Sequence, residues 1–288
     1  MMALTVERLG GSFVAEVGGV DLAQDQEAAW PEIHRAYLDH KVLVFPDQDL
    51  SAEDYAGFGA RFGELAPHTI RKFAHPDNPA IMILSNATEF GAPKGVRDAG
   101  SFWHSDWSYR ELPANATMLY ALEVPGDGGD TLFADMAAAY AALSDDIKRR
   151  LDGLTYRGQY RWTKDRHDPE SMWSLLTEEE RAENPEVEHP VVRTHPETGG
   201  KSLFVFPGIS AGIKAIVDMD EDESAALLAE LYAHVTEARF QYRFRWPGAG
   251  TLVVWDNRCT MHRATTADLP ADKLRTLHRL STVGAAPV

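Results

Sequence analysis

Five short β-rich segments, 81–84, 117–124, 202–206, 251–255 and 277–283, are set apart by turn signals and are not interleaved with helices at regular intervals. That arrangement constrains the fold more than any other feature. Regular strand–helix alternation would point to a doubly wound parallel sheet, which also needs a glycine fingerprint. Gly126-Asp127-Gly128-Gly129-Asp130 lacks the required spacing and reads as a loop after a strand. The expected fold is therefore mainly β with helical additions, a double-sheet barrel or jelly roll. Helical spacing of apolar residues predicts helices over 28–40, 135–143 and 223–237. The first runs straight into a strand at 41–46 closed by Pro46, and Ser51 with Asp54 predicts a capping box opening a further helix to Gly63.

All 288 residues are read as one domain, with a polar excursion over 164–188 that has the length of a lid or binding loop. The net charge of −16 sets up a field that repels phosphate backbones and anionic bilayers, so neither nucleic acid nor membrane is an expected partner. An anionic substrate would have to be caught by locally placed Arg or Lys. The single cysteine, Cys259, excludes an intramolecular disulfide framework and cysteine-rich metal sites, and fits a reducing compartment. The first nineteen residues carry no continuous apolar run, so a cytoplasmic location is expected.

Two H-x-D triplets are present. His75-Pro76-Asp77 is framed by prolines and reads as a surface turn. His104-Ser105-Asp106 lies in the aromatic run Phe102-Trp103-His104-Ser105-Asp106-Trp107-Ser108-Tyr109, read as extended. On an extended segment residues i and i+2 point to one face, so imidazole and carboxylate project together into dry surroundings. Such a pair is either a buried His–Asp hydrogen bond or two ligands of a facial triad, which needs one more histidine. His262 follows the strand at 251–255 and the Asp256-Asn257 turn, on the next extended stretch. A histidine so placed is ordinarily a packed residue; the combination points to a metal.

With Gly18-Gly19-Val20-Asp21-Leu22, Trp103-His104-Ser105-Asp106, Gly128-Gly129-Asp130-Thr131, Trp255-Asp256-Asn257-Arg258 and Leu274-Arg275-Thr276-Leu277-His278-Arg279 in this order, the chain resembles the TauD/TfdA family of iron(II)/2-oxoglutarate dioxygenases over nearly its full length. The resemblance implies a distorted double-stranded β-helix. It implies Fe(II) on His104, Asp106 and His262, with 2-oxoglutarate and O2 as co-substrates. It places Arg275 on the distal carboxylate of 2-oxoglutarate with Thr131 assisting, and a planar guanidinium suits a carboxylate through two parallel hydrogen bonds. Arg279, four residues on and on the same side of a strand, falls where relatives contact an anionic substrate group, and His68 and Arg71 fall at further substrate positions. Relative to taurine enzymes, Arg71 replaces a tyrosine, Gly100 an asparagine and Ile209 an aromatic, which argues against taurine and for a larger acid, with Tyr160 or Trp162 as further wall candidates. The implied reaction is hydroxylation of a small sulfonate, aryloxyalkanoate or other carboxylate, with bond cleavage when the oxidised carbon carries a heteroatom, by a homodimer or homotetramer. Asp106 as a carboxylate ligand disfavours halogenation. The rival readings are a zinc-type hydrolase or lyase on the same triad and a non-catalytic jelly-roll binding protein.

Overall fold

A computed structural model describes residues 4–67, 71–97, 99–160, 177–207, 212–267 and 269–288. Ten strands make two sheets: Thr5–Arg8 (β1), Val14–Gly18 (β2), Val42–Phe45 (β3), Met82–Ser85 (β4), Ala114–Glu123 (β5), Thr131–Asp135 (β6), Gln241–Phe244 (β7), Leu252–Asp256 (β8), Thr260–Ala264 (β9) and Thr276–Val283 (β10). The larger sheet has the order β1-β2-β3-β8-β5-β10-β4, and the smaller is β7-β6-β9. Only β2 and β3 pair in parallel; the other pairs in these two sheets are antiparallel. The expected jelly roll is what the chain builds.

Strand periodicity sorts the core into layers. In β3, Val42 and Val44 face the smaller sheet, meeting Phe133 of β6 and Phe244 of β7, while Leu43 and Phe45 face outward. In β8 the same alternation sends Val253 and Trp255 inward and Leu252 and Val254 outward. The outer face of the larger sheet is covered by helices Gln26–His40 and Ala52–Ala60 through Ile33, Tyr37, Tyr55 and Phe58. On the far side of the smaller sheet, Ala134 and Met261 pack with helix Glu221–Val235 and with Leu203 and Tyr156 from the minor sheets. The period of two has one consequence for function. Leu277 of β10 is in the inner layer, so Arg275 and Arg279, each two residues away, share its face.

The capping box is formed, with Ser51 Oγ accepting from Asp54 N at 3.1 Å and Asp54 Oδ2 accepting from Ser51 N at 3.1 Å. Three sequence expectations shift. The strand expected over 202–206 is confined to Lys201–Leu203, while Phe204 to Phe206 are buried without strand pairing. Helix 223–237 is displaced to Glu221–Val235, where Asp220 caps it by accepting from Asp222 N and Glu223 N. Strand β6, unexpected from the sequence, merges at Asp135 with the cap of helix Met136–Ala141, which hid its short apolar run. Of the excursion, 164–176 lies outside the described residues; beyond it come helix Glu178–Ala182 and a strand, Val187–Pro190, paired with Thr155–Gly158. No helix among the described residues is long and apolar enough to cross a membrane.

Candidate active site

Strand β9 turns Thr260, His262 and Ala264 inward, opposite Asp135, Phe133 and Thr131 of β6. On its other edge His262 forms an isolated bridge with His104, N–H to carbonyl in both directions at 3.0 and 2.8 Å. The bridge sets the two imidazoles side by side with centroids 4.2 Å apart. The extended run expected through Tyr109 stops sooner. Trp107 has φ +53° and Arg110 N returns to Trp107 O at 2.8 Å, so the chain turns directly after Asp106. A tryptophan in the left-handed region is an outlier of the kind that gathers at functional sites. The i, i+2 relation nevertheless holds, and His104 and Asp106 face the same space.

The three side chains converge without bonding one another. His104 Nε2 lies 3.6 Å from Asp106 Oδ1 and His262 Nε2 lies 3.7 Å from Asp106 Oδ2, beyond hydrogen-bond reach. Among the described residues Asp106 Oδ2 has no hydrogen-bond partner although it is buried. The buried His–Asp hydrogen bond considered from the sequence is therefore not formed. His104 Nδ1 lies 2.8 Å from the carbonyl of Phe102; a carbonyl only accepts, so this nitrogen carries a proton and leaves Nε2 as the atom that would meet a metal. One donor atom from each residue lies within 4.8 Å of the others, a spacing able to hold a metal ion.

Burial by itself would raise the Asp106 carboxyl, but Arg279, His262 and His104 around it hold it well below its ordinary range. Arg279 Nη2 forms an ion pair with Asp106 Oδ1 at 2.9 Å. Burial, then the neighbouring His104, keeps His262 well below the usual imidazole value, so it is neutral and able to ligate. The backbone of the triplet is fixed by Asn257, which sequence reasoning passed over as part of a turn. Its Oδ1 accepts from Asp106 N and from Trp255 Nε1, each at 3.2 Å, and its carbonyl accepts from Ser105 Oγ at 2.9 Å. Its Nδ2 donates to Thr117 Oγ1 at 2.9 Å, anchoring the turn to β5.

The three groups open onto a cavity of about 360 Å³ between the sheets, walled in part by Met82, Leu84 and Leu119 and reached also by Thr131, Arg275 and Arg279. Arg275 donates through Nε to Gly129 O at 2.9 Å, and burial draws its guanidinium down to about 10 against the pull of Asp130. It is thus charged at neutral pH. Gly129 has φ +67°, and a Cβ there would lie 2.9 Å from Arg275 Cδ, so the glycine makes room for the arginine. Gly100 does the same for His104, whose Cε1 would be 2.7 Å from an added Cβ. Thr131 is buried at the start of β6 and accepts from Trp246 Nε1 at 3.2 Å.

The other sequence candidates divide. Tyr160 lines the cavity and its ring packs tilted against that of Tyr109, centroids 4.1 Å apart. Arg71 is not among its lining residues; the guanidinium is exposed and pairs with Glu183 at 3.1 Å. His68, Trp162 and Ile209 lie outside the described residues. His75 Nδ1 accepts from Asp77 N at 3.2 Å, the turn expected of the second triplet.

The model of the taurine catabolism dioxygenase TauD, TfdA family matches residues 5–281. The α-ketoglutarate-dependent 2,4-dichlorophenoxyacetate dioxygenase of Cupriavidus pinatubonensis is 35% identical, the match covering 100% of this chain and 100% of that protein. The α-ketoglutarate-dependent sulfate ester dioxygenase of Pseudomonas putida is 31% identical over 100% of this chain and 92% of its own length. The crystal structure of AAD-2 in complex with Mn(II) and N-oxalylglycine superposes with a TM-score of 0.76 at 31% identity, covering 99% of each chain. Sequence match, jelly roll and the clustered His-Asp-His set agree: the chain belongs to the TauD/TfdA family of α-ketoglutarate-dependent dioxygenases.

Proposed function

We propose that His104, Asp106 and His262 hold one Fe(II), that Arg275 and Thr131 bind the distal carboxylate of α-ketoglutarate (2-oxoglutarate), and that the enzyme uses O2 to hydroxylate a small organic anion, releasing succinate and carbon dioxide. One observation carries this reading: a single cavity joins three unbonded donor atoms, one of them an unpartnered carboxylate oxygen, to a buried arginine. Two imidazoles and a carboxylate form the donor set that leaves adjacent positions open on ferrous iron. Bound there, Fe(II) supplies the activation of dioxygen coupled to oxidative decarboxylation of the co-substrate.

The chain's own residues do the rest. The Phe102 carbonyl fixes the His104 tautomer, and Arg279 keeps Asp106 ionised. Arg275, held by Gly129 O, offers a charge that persists at working pH, and Met82, Leu84 and Leu119 give the shared cavity an apolar wall. Arg279 is the second cation among the described lining residues and is proposed to meet the anionic group of the substrate. The substrate class is supported by relatives named for 2,4-dichlorophenoxyacetate and for sulfate esters.

The test is succinate release under oxygen against a panel of aryloxyalkanoates, sulfonates and sulfate esters. Turnover should require added Fe(II) and α-ketoglutarate and vanish in His262→Ala; full turnover in that variant sinks the triad. Unaltered affinity of Arg279→Ala for the accepted substrate sinks the role given to Arg279.

A further inference from the structure

Trp246 touches both groups assigned to the distal carboxylate but does not itself line the cavity. Its indole N–H donates to Thr131 Oγ1 at 3.2 Å, and its ring lies 5.8 Å from the Arg275 guanidinium carbon. The residue is buried, two positions beyond the end of β7, and Phe244 meets it edge-on at 5.0 Å. Arg243 of the same strand grips Asp130 at 2.6 Å, so the corner that carries Gly129, Asp130 and Thr131 is fastened to the segment that carries Trp246.

A threonine hydroxyl has one hydrogen to give and two lone pairs to receive. An indole N–H only gives. Once Trp246 occupies a lone pair of Thr131, the hydroxyl hydrogen is free to face the cavity, where Thr131 is exposed to whatever Arg275 binds. A carboxylate only accepts, so a hydroxyl turned outward as a donor is preorganised for it. The same indole ring offers its face to the Arg275 cation, within cation–π range.

We infer that Trp246 is a positioning residue for co-substrate recognition: it holds the Thr131 hydroxyl as a donor, so that the end of the cavity selects an anionic acceptor. This rests on the proposed placement of the α-ketoglutarate distal carboxylate at Arg275 and Thr131.

The test is a double-mutant cycle read by calorimetric titration of α-ketoglutarate into the Fe(II)-loaded protein under anaerobic conditions, with kcat and the two KM values measured alongside. Trp246→Phe should weaken α-ketoglutarate binding about fivefold, the scale of one ordinary hydrogen bond. KM for α-ketoglutarate should rise with it, while KM for the organic substrate and kcat stay within about twofold. In a Thr131→Val background the same change should have no further effect, and in Thr131→Ser it should reappear. Replacing Trp246 by β-(3-benzothienyl)alanine, which keeps the ring and removes only the N–H, should reproduce the loss even if the phenylalanine variant folds poorly. Wild-type affinity in the isostere, or effects that multiply with Thr131→Val, overturn the inference. An Arg275→Gln variant separates the two layers: if it binds α-ketoglutarate normally, the proposed carboxylate site fails, whereas weakened binding there with unchanged Trp246 variants overturns only the role of Trp246.

Discussion

Two buried clusters of ligand-type residues flank the turn between β8 and β9, and they differ in how far their lone pairs are already paired. His104 and His262 stand 3.6 and 3.7 Å from the Asp106 carboxylate, one oxygen of which is unpartnered among the described residues, beside a cavity. His195, Asp256 and Cys259 are equally close-set and equally buried. There, however, Asp256 accepts from His195 Nε2 at 2.9 Å and from Arg258 Nε and Nη2 at 2.8 and 2.7 Å, besides Arg258 N at 2.9 Å. His195 Nδ1 accepts from the backbone of Glu197 and Thr198, so its tautomer is fixed as well. A metal at Asp256 would have to evict an arginine. Proximity of ligand-type residues thus says little, and what separates a binding site from a structural knot is whether the lone pairs are already spoken for.

The strongest way to break this comparison is to remove one side chain from each region. His262→Ala should reduce turnover by on the order of a thousandfold or more, because the metal supplies several kcal/mol of rate enhancement. Its unfolding free energy should move by less than about 1 kcal/mol, since the ring faces a cavity and its loss strands no hydrogen-bond partner. Arg258→Ala should do the reverse. It leaves the buried Asp256 charge without its bidentate partner and should cost about 3 to 5 kcal/mol of stability by urea titration, with Fe(II) affinity per folded molecule unchanged. An Arg258 variant of normal stability, or a His262 variant that unfolds, would collapse the distinction.

Asn257 joins the two regions, one residue after Asp256 and hydrogen-bonded to the backbone of Asp106. Asn257→Ala should cost about 1 to 3 kcal/mol for the buried donors it orphans, and weaken metal affinity about tenfold by loosening the triplet, measured by calorimetric metal titration. If stability falls but affinity does not, the turn supports the fold and leaves the ligands alone.

The sequence made one of these regions legible and hid the other. His104 and Asp106 share a face by simple alternation, and β10 carries Arg275 and Arg279 inward by the same rule, so those residues could be found from period and motif. Asn257 could not, because a turn asparagine has the same local signature whether its amide faces solvent or bonds three partners 140 to 152 residues away. Trp246 is similar: its use depends on β7 pairing with β6, and β6 itself was masked by the helix cap at Asp135. The extended reading of 102–109 failed at Trp107 because nothing in a single sequence marks a tryptophan forced to positive φ by the turn around it.

The smallest effect tests the saturated cluster through acid. Burial alone would raise the Asp256 carboxyl, but the hydrogen bonds from His195 and Arg258 outweigh it and bring it from 3.8 down to about 2. A folded-state value below the unfolded one means that, as pH falls, the unfolded chain takes up this proton first. The contribution to stability is therefore whole above about pH 4, shrinks between about 4 and 2, and is gone below about 2; the gap corresponds to about 2 kcal/mol. Urea titrations across that window should show a stability slope that is shallower by up to one proton in Asp256→Asn than in the parent. Equal slopes would mean that Asp256 titrates alike in both states, and the region that the hydrogen bonds mark as satisfied would then gain nothing from its charge.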